Sequence, residues 1–279
     1  MDSSVSYSPT EGESTASAWQ STAPDVAAGH KLRLLSYNIQ TGISSARYRH
    51  YVTHAWKHVL PCADRWQNLD RIGAALSGFD IVGVQEIDSG SLRTGFINQT
   101  EYLAWKAGFP YWYHQTNRRV GKVTQHSNGL LSRLIPHEIV DHKLPGLRGR
   151  GALLARFGSG PDSLALFIMH LALGKRTRLR QMAFLSELID EYPHVILMGD
   201  LNCSPRSLEM RRLLRYTNLQ PIPERCNTFP SWRPRWHIDH ILVSEDIYVQ
   251  RNYIPHWLYS DHLPIAMDIV VPAQVKLYT

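Results

Sequence analysis

Residues 195–202 read VILMGDLN, and the four consecutive large apolar residues at 195–198 are what a strand buried on both faces requires. A strand of that kind belongs to a sheet covered front and back, so the chain has to build layers around it. Gly199 then releases the backbone into a turn, which leaves Asp200 and Asn202 just past the strand's end. If the extended conformation persists, these two side chains face the same side while Leu201 anchors the turn in the core. An Asx-turn continued by Ser204 and Pro205 is the plainer reading of the same residues. Taken alone, the motif does not choose between a turn and the rim of an active site.

Recurrence tips the balance, because an apolar run beside a polar residue of catalytic type appears five more times. Residues 31–39, KLRLLSYNI, alternate as a first strand with Asn38 near its end. Residues 81–84 form a second strand, and Gln85 and Glu86 follow it in FDIVGVQEID. A carboxylate at the close of such a strand is costly unless it is exposed or paired, and a divalent cation would pair it. Residues 164–171, LALFIMHL, are a central strand with His170 near the end, where a satisfied core histidine is the ordinary alternative. Asp239 stands among the strand residues HIDHILV, and Asp261 and His262 precede Pro264 in YSDHLPI, which feeds a final strand at 265–271.

Between these motifs, residues 68–76 and 207–214 read as helices and residues 128–133 and 148–157 as strands, the latter with a glycine and arginine lead-in, RGRG. Residues 176–189 predict a helix with Leu179, Met182, Leu185 and Ile189 on its buried face. That helix makes a crossover between the His170 strand and the Val195 strand. Residues 111–114 and 117–122 carry no clear chemical signature and read as surface or pocket wall. Residues 43–66 are basic and aromatic, with a segment from Arg47 to Lys57 that suits either an amphipathic helix or a substrate-gripping arm. The Pro-rich loop TFPSWRPR at 228–235 offers Trp232, Arg233, Arg235 and, just after it, Trp236 for stacking on bases, insertion at a lipid interface or capping the core.

Charge limits the partners. The chain has 30 Lys and Arg against 24 Asp and Glu, and residues 1–29 hold four of the acids and none of the bases. The rest therefore carries 30 minus 20, or +10. A basic body suits an anionic partner, whether nucleic acid, phospholipid headgroup or phosphorylated metabolite. Residues 1–30 are rich in Ser, Thr, Ala and Pro with no hydrophobic period and predict a disordered leader, with one domain over 31–279. No apolar run approaches transmembrane length, no Sec-type signal is evident, and three cysteines suit a reducing compartment. We expect a cytoplasmic monomer, with peripheral membrane contact allowed.

Asn38, Glu86, His170, Asp200, Asn202, Asp239, Asp261 and His262 together offer hard oxygens, neutral amides and imidazoles. Oxygen donors suit Mg2+ or Mn2+ held with waters and not a tetrahedral structural zinc. An aspartate such as Asp200 can activate water, Asn202 and His170 can donate to a developing pentacovalent phosphate, and His262 paired with Asp239 has its tautomer fixed and its pKa raised. The reaction class is phosphoester hydrolysis, with a rate that rises through the imidazole range of pH. A thiol nucleophile at Cys203 is disfavoured, because no cationic activator is near it in sequence.

The ordered set YNIQ, VQEID, MHL, GDLN, IDHILVS and SDHLPI resembles the endonuclease/exonuclease/phosphatase superfamily, over about residues 31–271, and most of all its compact bacterial hydrolases. The resemblance implies a DNase I-like α/β fold, a four-layer α/β/β/α sandwich of two mixed sheets flanked by helices. It implies metal ligation by Asn38 and Glu86 with Asp261 joining, and Asp200 as the water-activating carboxylate. It also implies Asn202 as a phosphate-orienting amide, His170 on the phosphate or as proton donor, and His262 with Asp239 as base or transition-state stabiliser. DNases of this family support the first histidine with a glutamate, for which this sequence shows no counterpart. The implied substrate is an anionic phosphoester, nucleic acid or phospholipid. A catalytically silent basic module that grips lipid or nucleic acid through Trp232, Trp236 and the 47–57 arm is the alternative from another class.

Overall fold

Alternation within the buried strands dictates the layering. In the computed structural model, residues 29–43, 63–120, 124–146, 149–221 and 226–279 are described, and the 47–57 arm and almost all of the 1–30 leader lie outside them. Leu34, Ile81, Ile168, Ile196, Met198 and Ile241 meet in one core between two sheets, while their neighbours Leu35, Val82, Phe167, Val195 and Leu197 face outward. Each sheet therefore needs a cover of helices.

The first sheet has six strands in the order β11-β12-β1-β2-β4-β3, and the second has six in the order β5-β6-β7-β8-β10-β9. In chain order these are β1 His30–Asn38, β2 Ile81–Ile87, β3 Tyr111–Val120, β4 Thr124–Ser132, β5 Pro136–Lys143 and β6 Gly151–Phe157. They continue with β7 Leu164–His170, β8 His194–Asp200, β9 Leu219–Gln220, β10 Asp239–Ser244, β11 Tyr248–Tyr253 and β12 Ile265–Val271. Helices α1 (Ala63–Leu76) and α2 (Gln99–Ala107) cover the first sheet through Leu69, Ile72, Leu76 and Leu103. Helices α3 (Lys175–Ile189) and α4 (Leu208–Arg215) cover the second through Met182, Leu185, Ile189, Met210 and Leu213. The result is the expected four-layer sandwich of two mixed sheets flanked by helices.

Topology gathers the polar ends. β1 and β2 are parallel, as are β7 and β8 across the α3 crossover, so Asn38, Glu86, His170 and Asp200 all lie toward carboxyl ends. β10 and β12 run antiparallel to β8 and β1, so they contribute their beginnings: Asp239 pairs with Asp200, and residues 261–262 precede the start of β12 beside Ser36. One rim of the double sheet thus collects residues spread across the chain.

Three local expectations change. Gly199 makes no turn: it lies inside β8 at φ +147°, where an added Cβ would collide with the Met169 carbonyl oxygen of the parallel neighbour. The extended conformation does not persist through Asn202, whose φ is +52° and whose N–H donates to Asp200 Oδ1 at 3.0 Å. The Asx-turn and the active-site rim are one structure. Glu86 lies within β2 and not beyond it, at φ +54° in a bulge that shifts the β2–β4 register between Val84 and Ile87.

Strands β5 and β11 and helix α2 have no signal in the apolar pattern. Most β5 and β11 residues are exposed or half-buried, as edge or near-edge strands allow. Helix α1 starts five residues earlier than its apolar period, and the 111–114 and 117–122 segments fall largely in β3.

Candidate active site

Asp200 is the hub of the rim. Its Oδ2 lies 3.2 Å from Asn38 Nδ2, 3.3 Å from His170 Nε2 and 3.9 Å from His262 Nε2, so both sheets reach one buried oxygen. The Asn38 amide also donates to Glu86 Oε1 at 3.4 Å, while its own Oδ1 accepts the Gln40 N–H at 3.2 Å. His262 Nδ1 is 2.8 Å from Asp239 Oδ2, which fixes the tautomer as anticipated. Asn202 donates from Nδ2 to the Leu171 carbonyl at 3.0 Å, anchoring the turn that follows Asp200.

Electrostatics at this rim are unfavourable without a cation. Burial, with the Asp239 charge beside it, pushes the Asp200 carboxyl up to about 7 against the opposing pull of His262. Burial, with the charge of Glu86, pushes Asp261 up to about 6. Asp239 Oδ1 is buried without a hydrogen-bond partner. Burial alone would lower His262, but the Asp239 charge and hydrogen bond, joined by Asp200 and Asp261, reverse this and raise it to about 10. His262 is therefore an imidazolium at neutral pH.

The donor chemistry fits a hard divalent ion. Glu86 is half-buried, Asp261 is near enough to feel its charge, and Asn38 bridges Glu86 and Asp200 through the N–H face of an amide whose rotation would present Oδ1. Ligand atoms of Asp200, Asp239 and His262 also fall within 4.8 Å of one another. We favour the first set for an ion, because His262 Nδ1 and Asp239 already satisfy each other.

His170 has a partner that the sequence did not disclose. Arg150 donates from Nη1 to His170 Nδ1 at 2.9 Å, where a supporting carboxylate was sought. A guanidinium only donates, so the proton of His170 sits on Nε2, facing Asp200. Burial and the neighbouring Arg150 charge, with His262 and His126, hold this imidazole well below the usual histidine range. His170 is thus suited to donate a hydrogen bond and not to deliver a proton as an acid.

The 228–236 loop braces the site. Thr228 bonds the Asp239 carboxylate through its hydroxyl, Phe229 packs 4.7 Å from the His262 ring centre, and exposed Trp236 stacks on Phe229. Its Ser231 N–H donates to the Asp261 carbonyl at 2.7 Å. Cys203 is buried, and burial first among several influences pushes its thiol up to about 11, which makes it a poor nucleophile.

Behind the rim, burial lowers His240 to about 4, although its Nε2 donates to the Cys203 carbonyl at 2.9 Å. The folded pKa lies below the unfolded value of about 6.5, so the unfolded chain takes the proton first. The stability from neutral His240 is present above pH 6.5 and is lost as pH falls toward 4, by on the order of 3 kcal/mol. Denaturant titrations from pH 7 to 4.5 should show a shallower acid loss in His240→Gln than in wild type; parallel curves would refute the assignment.

A four-layer sandwich carrying a carboxylate and imidazole cluster on its rim is the DNase I-like architecture of phosphoester hydrolases. The model of the Endonuclease/Exonuclease/phosphatase family matches residues 35–262, and the chain belongs to that family. The uncharacterized Escherichia coli K12 protein YbhP is 31% identical over 159 residues, which cover 52% of this chain and 62% of YbhP, less than two thirds of its length. Among solved structures, an endonuclease/exonuclease/phosphatase family protein from Bacteroides thetaiotaomicron superposes with TM-score 0.67 at 19% identity, covering 88% of this chain and 99% of its own. The B. thetaiotaomicron mannosyl-6-phosphatase Bt3783 gives 0.65 at 19% identity with 86% and 99% covered. Humanized D. rerio TDP2 gives 0.60 at 16% with 86% and 98%. At these identities the structures establish a shared fold. No helix among the described residues is long and apolar enough to cross a membrane.

Proposed function

We propose that this protein is a divalent-metal-dependent phosphoesterase that hydrolyses its substrate by water attack at phosphorus. The observation that carries the reading is the meeting of Asn38, His170 and His262 within 3.9 Å of one Asp200 oxygen, across two sheets. Glu86 and Asp261 with the Asn38 amide would hold Mg2+ or Mn2+, which when bound neutralises a non-bridging phosphoryl oxygen and charge on the leaving group. Asp200 orients the attacking water and accepts its proton. The His262 imidazolium, held by Asp239, donates to a phosphoryl oxygen as negative charge builds, which favours the role of stabiliser over that of base. His170 donates from Nε2 to the same group, and Asn202 keeps Asp200 aimed while its second amide hydrogen remains for phosphate.

The substrate class is an anionic phosphoester. A panel of plasmid DNA, single-stranded RNA, phospholipids, inositol phosphates and, given the mannosyl-6-phosphatase neighbour, hexose 6-phosphates tests the proposal. We expect phosphate or phosphoester release from at least one member with Mg2+ and none with chelator. Failure on every member with Mg2+ and Mn2+ would favour the silent binding module instead.

A further inference from the structure

A cavity of about 350 Å³ opens beside Glu86 and His170, at the small end of the range for ligand sites. Arg118, His126 and Arg150 line it with the amides Asn117 and Asn128, and Glu86 is the one acid among its lining residues. Two guanidiniums side by side repel, yet neither has a carboxylate within 4.0 Å among the described residues. Arg150 spends one N–H on His170, which leaves four of its five donors. Arg118 is exposed on β3.

Two glycines build this pairing of charges. Gly149 has φ +102°, and a Cβ there would come 3.0 Å from Arg118 Cδ and 3.1 Å from its Cβ. A Cβ on Gly151 would collide with the side-chain oxygen of Asn117. The backbone on either side of Arg150 thus packs directly against the β3 residues 117–118, and Arg118 is held close enough for its charge to act on Arg150. Another wall is the first turn of α3, where Gly174 supplies no side-chain cap and no acidic residue follows.

We propose that this cavity is a second anion site of the substrate pocket, in which Arg118 and Arg150 grip a phosphate that is not the one being cut. The inference rests on the phosphoesterase reading and narrows it: the substrate is a small phosphoester bearing a further phosphate within reach of the scissile one. Pairing with two guanidiniums offsets their mutual repulsion, and the bidentate fork suits a phosphate oxygen pair.

Binding without turnover separates this claim from the proposed activity. Calorimetric titration of the metal-free protein in chelator compares glucose 6-phosphate with glucose 1,6-bisphosphate, and adenosine 5′-monophosphate with adenosine 3′,5′-bisphosphate. In at least one pair the bisphosphate should bind about tenfold more tightly or better, the size of one charge-assisted hydrogen bond. Arg118→Gln should shrink that preference to within about twofold, and Arg118→Glu should reverse it. Because Arg118 is exposed, both variants should keep the wild-type melting curve. Equal affinities within both pairs, or a preference that survives both substitutions, would overturn the site. Should the preference hold while no ester is turned over with Mg2+, the activity fails and the anion site stands.

Discussion

Replacing Asp200 with asparagine lowers kcat by about 10³-fold or more while leaving the melting temperature unchanged or higher. The loss follows from position: the Asp200 carboxylate is the one group touched by Asn38, His170 and the His262 ring, and no other base is placed to take a proton from water at that point. The gain in stability follows from its cost. Asp200 is buried beside Asp239 and its carboxyl is pushed up to about 7, so the ionised form that catalysis needs is strained in the fold. Asparagine keeps the shape and an oxygen for the Asn202 N–H while shedding the charge. A residue of purely structural importance would behave oppositely, losing stability along with activity. Steady-state kinetics and a thermal melt on the same preparation decide between them.

Substitution of the His262–Asp239 pair gives the second large effect, and its signature is non-additivity. His262→Ala and Asp239→Asn should each lower kcat by about 10²- to 10³-fold, as loss of a transition-state donor does. The double variant should fall no further than about the worse single, because Asp239 acts only by holding His262 charged and aimed. Thr228 and Phe229 hold the same pair from the loop side, which links an otherwise unremarkable Pro-rich segment to the chemistry. If the double variant instead shows the product of the single losses, the two residues work independently and the assigned pairing is wrong.

Much of this could be read before any coordinates. Strands that are apolar on both faces force a layered α/β sandwich, and the 176–189 helix between two of them forces a parallel crossover; β7, α3 and β8 carry this out. A polar residue beside each buried strand marked Asn38, Glu86, His170, Asp200, Asp239, Asp261 and His262, all of which the fold gathers at one rim. What stayed hidden depends on contacts that sequence spacing does not encode. β5 and β11, on or beside sheet edges, lack the apolar run that betrays a central strand. Gly199 looks like a turn residue because a glycine needed for close approach to Met169 and one needed for a turn are spelled the same way. Glu86 owes its aim to a bulge, which depends on its pairing with β4. Arg150 reaches His170 from 20 residues away, and its only trace was the alternation of arginine and glycine in RGRG.

The account turns on one claim, that residues drawn from both sheets hold a single divalent cation next to Asp200. Anomalous diffraction from crystals soaked in Mn2+ measures this directly. We predict one strong peak bounded by Glu86, Asp261 and Asn38, lost in Glu86→Gln. A peak elsewhere on the protein, or none at this rim in crystals of protein that turns over substrate with Mn2+, would contradict it.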